Sequence, residues 1–233
     1  MSKKNFTQLQ ETWKNFGNIE PHWSVLTQEH YKLHHIKNTE NDFYNTGKRD
    51  IEIFESILKK HNSTFENKVV LDFGCGVGRL TSSCSEIASK VYGMDISEPH
   101  LEIAQKSVPN ADFFLVGDYR NLPKIPKKPD IVFSVIVLQH TRPDLIVRYV
   151  ISLLKTLNTD GIALLHIPYN IIGYIPITSQ TNVMEMHFVP KIQIKNIVKK
   201  LNCTVLEEIE TNYCGSANIK ECLYVIKKNK DRV

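Results

Sequence analysis

The 233-residue sequence is 42% hydrophobic and 23% charged, with a formal charge of +4, a balance that excludes a disordered or fibrous chain. Its lysines are scattered and form no basic stripe interleaved with aromatics, which disfavours a nucleic-acid substrate. The longest apolar run, IVFSVIVL, is too short to cross a bilayer; MSKKNFTQLQETW lacks a secretory apolar stretch; and five cysteines without a C-x-x-C pair argue against a disulfide framework or a zinc site, so no metal is expected and the cytoplasm is the expected compartment.

In chain order, residues 7–62 read as helical and polar, ending in RDIEIFESILKKH, where Ile51, Phe54, Ile57 and Leu58 share one face. VVLDF (Val69–Phe73) is a short strand that runs into a glycine-rich turn and the helix-compatible GRLTSSCSEIAS. VYGMDI (Val91–Ile96) is a second strand; Ser97 is placed to cap the helix that follows, with Pro99 in its first turn. ADFFLVGD is a third strand. DIVFSVIVLQ is a fourth, apolar almost throughout, as a strand buried on both faces requires. The helix DLIVRYVISLLKTL, the Asp160–Gly161 turn and the strand IALLHIP come next. After the helix VPKIQIKNIVKKL, CTVLEEIETN and ECLYVIKK read as an antiparallel closing pair at one edge. Strands alternating with helices predict an α/β fold: a seven-stranded, mainly parallel, doubly wound sheet, whose ligands sit beyond the carboxyl ends of the strands.

The chemistry concentrates in LDFGCGVGRL. A strand delivers Asp72, followed by Gly74, Gly76 and Gly78, and a helix begins near Arg79. Glycines let the backbone approach a ligand closely, and a helix start suits an anionic group. A dinucleotide fingerprint, G-x-G-x-x-G, counted from Gly74 needs glycine at 79, where this chain has Arg79. The turn therefore fits a pyrophosphate less well than an amino-acid carboxylate.

This block resembles the first motif, D-x-G-C-G-x-G, of the class I, Rossmann-like S-adenosylmethionine-dependent methyltransferases. The resemblance extends from about Val69 to Pro168 through MDIS, VGDYRNLP, DIVFSVIVLQHT and LLKTLNTDGIALLHIP. It implies a core over residues 66–233 that binds S-adenosylmethionine and releases S-adenosylhomocysteine, preceded by an N-terminal helical cap, residues 1–65, on the substrate side. Asp72, at the strand end, is placed to accept a hydrogen bond from a cationic amino group; by resemblance, Gly74, Cys75 and Gly76 line the methionine part of the cofactor, Asp95 and Ile96 flank the ribose, and Asp118 and Tyr119 flank the adenine. Val135 offers a carbonyl to the amino group. Arg79 either holds the carboxylate or faces solvent, and Arg49 is a further candidate for that carboxylate or for an anionic substrate.

Methyl transfer asks the protein to align the acceptor, and a hydroxyl acceptor gains from a general base. His140 follows the fourth strand, where the resemblance places a residue toward the cofactor methyl. His166, near the end of the fifth strand, is either a second candidate or a core histidine. His187 lies in the long stretch 169–190, which has the length and aromatic character of a lid carrying Tyr169 and Asn170. Trp23 and Tyr31 would line the substrate side of the cap. His30 and His34 are spaced for one helix face, but nothing completes a metal site around them. These features predict methylation of a small molecule, oxygen favoured over nitrogen, with a carbohydrate or other bacterial metabolite as acceptor; the richness in Lys, Asn and Ile fits a bacterial source. A non-catalytic cofactor-binding subunit is the alternative.

Overall fold

The apolar runs and helical periods of the sequence fold, in a computed structural model, into seven strands and seven α-helices among the described residues, which are 3–118, 120–174 and 184–230. The sheet is mixed and mainly parallel, with strand order β3-β2-β1-β4-β5-β7-β6. The chain divides into two compact units, Ser2–Ile125 and Pro126–Val233.

In the first unit, β1 (Val69–Phe73), β2 (Lys90–Asp95) and β3 (Asp112–Leu115) are parallel, with Val70 opposite Val91 and Tyr92 opposite Asp112. The crossovers are α4 (Arg79–Ser85) and α5 (Glu98–Ser107). Before them come α1 (Lys3–Ile19), α2 (Pro21–Val25) and α3 (Ile36–Lys60). Pro21 opens α2, where a missing N–H costs nothing. The face of α3 that buries Phe43, Gly47, Ile51, Phe54 and Leu58 packs on α4, and α1 packs on α5. Ser97 occupies the N-cap position of α5, but its hydroxyl does not cap the helix. It binds the Trp13 carbonyl at 3.1 Å instead, which ties α1 to α5.

In the second unit, β4 (Ile131–Ser134) and β5 (Ile162–Ile171) are parallel, while β7 (Ile219–Lys228) runs antiparallel to both β5 and β6 (Cys203–Thr211). The expected closing pair is present, with β7 inside and β6 outside. The helices are α6 (Pro143–Thr156) and α7 (Lys191–Lys200). β4 is shorter than the sequence predicts. Its apolar run continues past Ser134, but Ile136 adopts φ 59° and the chain leaves the sheet into the tight turn Leu138–His140. Leu138 is fully buried outside any strand, so the run records burial as much as pairing. Among the described residues, no helix is long and apolar enough to cross a membrane.

Candidate functional site

The loop between β1 and α4 holds three glycines with left-handed backbone, Gly74 (φ 81°), Gly76 (φ 53°) and Gly78 (φ 86°), a conformation that L side chains resist. Its N–H groups are pinned to the end of β2. Gly74 and Cys75 both donate to the Met94 carbonyl, at 2.7 and 3.1 Å. Gly76 N–H donates to Asp95 Oδ2 at 2.9 Å, and Ser97 N–H donates to Oδ1 at 2.8 Å. Asp95 thus joins the loops after β1 and β2 into one scaffold. A carboxylate has about four acceptor positions, so this anchored, half-buried group keeps acceptor capacity for a ligand's hydroxyls. Ile96 follows it, half-buried, with its carbonyl 3.4 Å from Gln10 Nε2. The segment after α1 packs on the loop: a Cβ on Gly76 would meet Val25 at 2.7 Å, and Val77 joins the cluster of Tyr31, Ile36 and Phe43.

Asp72, at the end of β1, is buried and accepts a 2.6 Å hydrogen bond from the Thr81 hydroxyl, fixing α4 to the strand. Burial raises its pKa to about 7, against the opposing pull of Thr81 and Arg79. Burial likewise pushes the Cys75 thiol well above its usual range, which suits wall packing and not nucleophilic chemistry. Arg79 is not solvent-facing: it is 4% exposed, and Nη1 donates to Asp50 Oδ2 at 2.6 Å and to Thr46 Oγ1 at 3.1 Å. Its guanidinium latches α3 to α4. Arg49 is exposed on α3.

Asp118 is exposed beyond β3, where Oδ1 accepts from the Arg120 N–H and Oδ2 from the Asn121 side chain. Tyr119 lies outside the described residues, as does 175–183 of the lid-like stretch. Asp72, Gly74, Cys75, Gly76, Arg79, Asp95, Ile96 and Asp118 all belong to the first unit; Val135, buried just past β4, belongs to the second. Of the expected acceptor walls, Trp23 is half-buried, 6.3 Å from the Phe16 ring. Tyr31 is 2% exposed and gives its hydroxyl to Asp42 at 2.7 Å. Tyr169 donates to Glu210 at 2.8 Å with Lys191 Nζ over its ring, and Asn170 is exposed beside it on β5.

The three candidate histidines sit in the second unit with distinct surroundings. His140 is half-buried, and its Nδ1 lies 2.9 Å from the Glu185 carbonyl oxygen. A carbonyl only accepts, so the proton is on Nδ1 and the lone pair on Nε2. Loss of water contact lowers its pKa to about 4. His187 is buried between Tyr174 and Glu185, at 2.6 and 2.8 Å. His166 is enclosed on β5 beside Glu221. Sequence reasoning missed Asp50, Glu185 and Glu221, the acids that fix these cations and rings. Asp50 and Glu221 lie far in sequence from Arg79 and His166, and Glu185, two residues from His187, lies in a stretch with no helical or strand pattern.

A methyltransferase-domain family model matches residues 70–161, the span that contains the glycine loop and Asp95. The chain is 26% identical over 167 residues to a ubiquinone biosynthesis O-methyltransferase of Bartonella quintana, covering 64% of this chain and 65% of the relative. It is 35% identical over 89 residues to an uncharacterized methyltransferase of Geobacillus sp., covering 38% of this chain and 39% of the relative. The matches thus span less than two thirds of these relatives' lengths. In fold, the chain is similar to magnesium protoporphyrin IX methyltransferase of Synechocystis with bound S-adenosylhomocysteine, at TM-score 0.69 and 16% identity over 97% of this chain and 100% of that one. Residues 70–161 thus match a methyltransferase domain, and the seven-stranded sheet has the Rossmann-like methyltransferase fold.

Proposed function

We propose that this chain transfers a methyl group from S-adenosylmethionine to a small-molecule acceptor, with a hydroxyl of a sugar or another bacterial metabolite as the favoured class. One observation carries the reading: the glycine loop is pinned through Gly76 N–H to Asp95, inside the matched domain. A fixed carboxylate with spare acceptor positions fits the two hydroxyls of a ribose, and a strand-end acid such as Asp72 fits a cationic amino group. Gly74, Cys75 and Gly76 would line the methionine part, with Ile96 beside the ribose, Asp118 and Tyr119 at the adenine, and the Val135 carbonyl as a further cofactor contact, while Arg79, held by Asp50 and Thr46, serves to latch α3 to α4. The bound cofactor supplies an electrophilic methyl group on a sulfonium.

The chain's own task is to hold the acceptor and take its proton. His140 is the candidate base, since Glu185 fixes the tautomer that carries the lone pair on Nε2. His166 and His187 are held by neighbouring groups, which supports roles in shaping the acceptor side. Residues 1–65, with Trp23 and Tyr31, are read as the substrate-side segment. Residues 169–190, with Tyr169 and Asn170, are read as a lid-like insertion. Oxygen as the acceptor atom is supported by the name of the Bartonella relative, an O-methyltransferase.

Calorimetric titration with S-adenosylhomocysteine and, separately, NADH tests the cofactor. Labelled methyl transfer to a panel of hydroxyl and amine acceptors tests the reaction. The expected result is binding of the homocysteine nucleoside alone, abolished or severely weakened in Asp95→Ala, with label entering a hydroxyl acceptor. Preference for NADH, or near-wild-type affinity in Asp95→Ala, would overturn the cofactor placement. Tight binding without transfer to any acceptor would favour a non-catalytic cofactor-binding subunit.

A further inference from the structure

The second unit gathers His166 on β5, Glu221 on β7 and Cys214 in the turn between β6 and β7, with ligand atoms all within 4.8 Å of one another. His166 and Glu221 are almost completely enclosed. The donor set resembles a metal site, but the direction of the hydrogen bonds argues for something else. The Ile136 backbone N–H points at His166 Nδ1 from 3.3 Å. An N–H only donates, so Nδ1 carries the lone pair and the ring proton sits on Nε2. Nε2 lies 3.4 Å from Glu221 Oε2, within reach of the carboxylate's charge but without a well-formed hydrogen bond. A metal on Nε2 would force the proton onto Nδ1, directly against the Ile136 N–H.

Glu221 is also well supplied with donors. The Thr211 hydroxyl reaches Oε1 at 3.1 Å, and Cys214 N–H reaches Oε2 at 3.1 Å and Oε1 at 3.3 Å. Burial alone would push its pKa up, but His166 and Cys214 outweigh this and hold it at about 2. The carboxylate is therefore ionised, and its partners already account for it without a cation.

At the other end of the chain of contacts, Ile136 has φ 59°. Among the described residues, the other non-glycine residues with positive φ are all Asn or Asp, which tolerate that region. A β-branched residue held there is strained, and surrounding contacts must offset that strain. We propose that Glu221 and His166 form a positioning relay: the nearby negative charge of the carboxylate favours the Nε2–H tautomer, and Nδ1 holds the Ile136 N–H so that the chain turns out of β4 in a left-handed conformation. The turn so created is closed by His140 N–H to the Val137 carbonyl at 3.0 Å and Thr141 N–H to the Leu138 carbonyl at 3.1 Å. It is also the platform for the returning chain. The Gln139 carbonyl accepts the His187 N–H at 2.7 Å, and His140 Nδ1–H reaches the Glu185 carbonyl. The relay thus presents His140 and anchors residues 185–187, whatever group the protein transfers.

Nitrogen NMR of the imidazole ring, amide hydrogen exchange and a rescue variant test this without an acceptor. In the wild-type protein His166 is expected as the Nε2–H tautomer, unchanged by equimolar Zn²⁺. In His166→Phe, which replaces the imidazole by a ring without a lone pair, loss of the bond to Ile136 should speed exchange at His140 and Thr141 by about 5- to 30-fold, equivalent to ~1–2 kcal/mol, with β6 and β7 still protected. Adding Ile136→Gly, which needs no support at positive φ, should return most of that protection. Glu221→Gln should mix the two tautomers, a readout that stands even if His166→Phe does not fold. An Nδ1–H tautomer in the wild type, a His166 signal that moves with Zn²⁺, unchanged exchange in His166→Phe, or failure of Ile136→Gly to restore it would each overturn the relay.

Discussion

Replacing Gly47 by alanine sets two effects in opposition, and the structure decides between them. Glycine inside a helix is worth about 1 kcal/mol less than alanine, so in an isolated α3 the substitution would stabilise. In the folded chain, a Cβ at residue 47 would lie 2.2 Å from the Arg79 carbonyl oxygen and 2.9 Å from its carbon. These are backbone atoms at the start of α4, and no side-chain rotation relieves the overlap. Ordinary contact requires α3 to move by roughly 1 Å, against an interior packed as tightly as an organic crystal. That movement stretches the 2.6 Å bond from Arg79 to Asp50. Overpacking costs about 1–3 kcal/mol, occasionally more. Weakening a charged hydrogen bond adds to it on the order of 1 kcal/mol. With the propensity gain subtracted, Gly47→Ala should lose roughly 1–3 kcal/mol, equivalent to a melting temperature lower by about 2–12 °C at this size. Urea titration and calorimetry measure both quantities. Gly117→Ala is the control: nothing lies within 4 Å of its added methyl group, and it should change stability by less than about 0.5 kcal/mol. A Gly47→Ala protein as stable as the wild type would refute the argument that direct backbone contact places glycine there.

Asp72 has a pKa raised to about 7 by burial. The folded state therefore binds a proton that the unfolded chain releases near pH 4, and this group makes the protein lose stability between about pH 4 and pH 7. Asp72→Asn should grow more stable relative to wild type across that window and level off above it; a flat difference would contradict the shift. Asp50→Asn leaves the buried Arg79 charge without its carboxylate, and breaking such a pair should cost about 2–4 kcal/mol, read as a lower urea midpoint. His140→Gln should reduce methyl transfer by about 100-fold or more while S-adenosylhomocysteine affinity stays within about twofold. Equal turnover would remove His140 as the base.

Much of the first unit is legible in the sequence because its signals are local. VVLDF is β1 residue for residue, and the glycines that follow must adopt left-handed backbone wherever the turn is made. Helix 36–60 shows its buried face in the spacing of Ile51, Phe54 and Leu58. What stays hidden is set by tertiary partners. The β4 run gives no warning of the turn at Ile136, because hydrophobicity reports burial and not direction. ADFFLVGD pairs only over Asp112–Leu115, since Val116 makes one last bond to the Asp95 carbonyl before the chain departs. Arg79 looks like an anion ligand beside a glycine loop until Asp50, 29 positions earlier, is found against it. Ser97 looks like a cap, yet the carbonyl of Trp13 takes its hydroxyl.

The placement of β7 between β5 and β6 bears on how the protein is made. The ten residues of β5 leave the ribosome with one long apolar margin whose partner, residues 219–228, is the last strand in chain order among those described. Until it arrives, that margin offers unpaired N–H and C=O groups to any neighbouring nascent chain. β6, synthesised first, cannot shield β5, because it has only the far side of β7 to join. Shortening the interval between the two strands, or slowing translation across it, should therefore alter the yield of soluble protein more than comparable changes within the early helices.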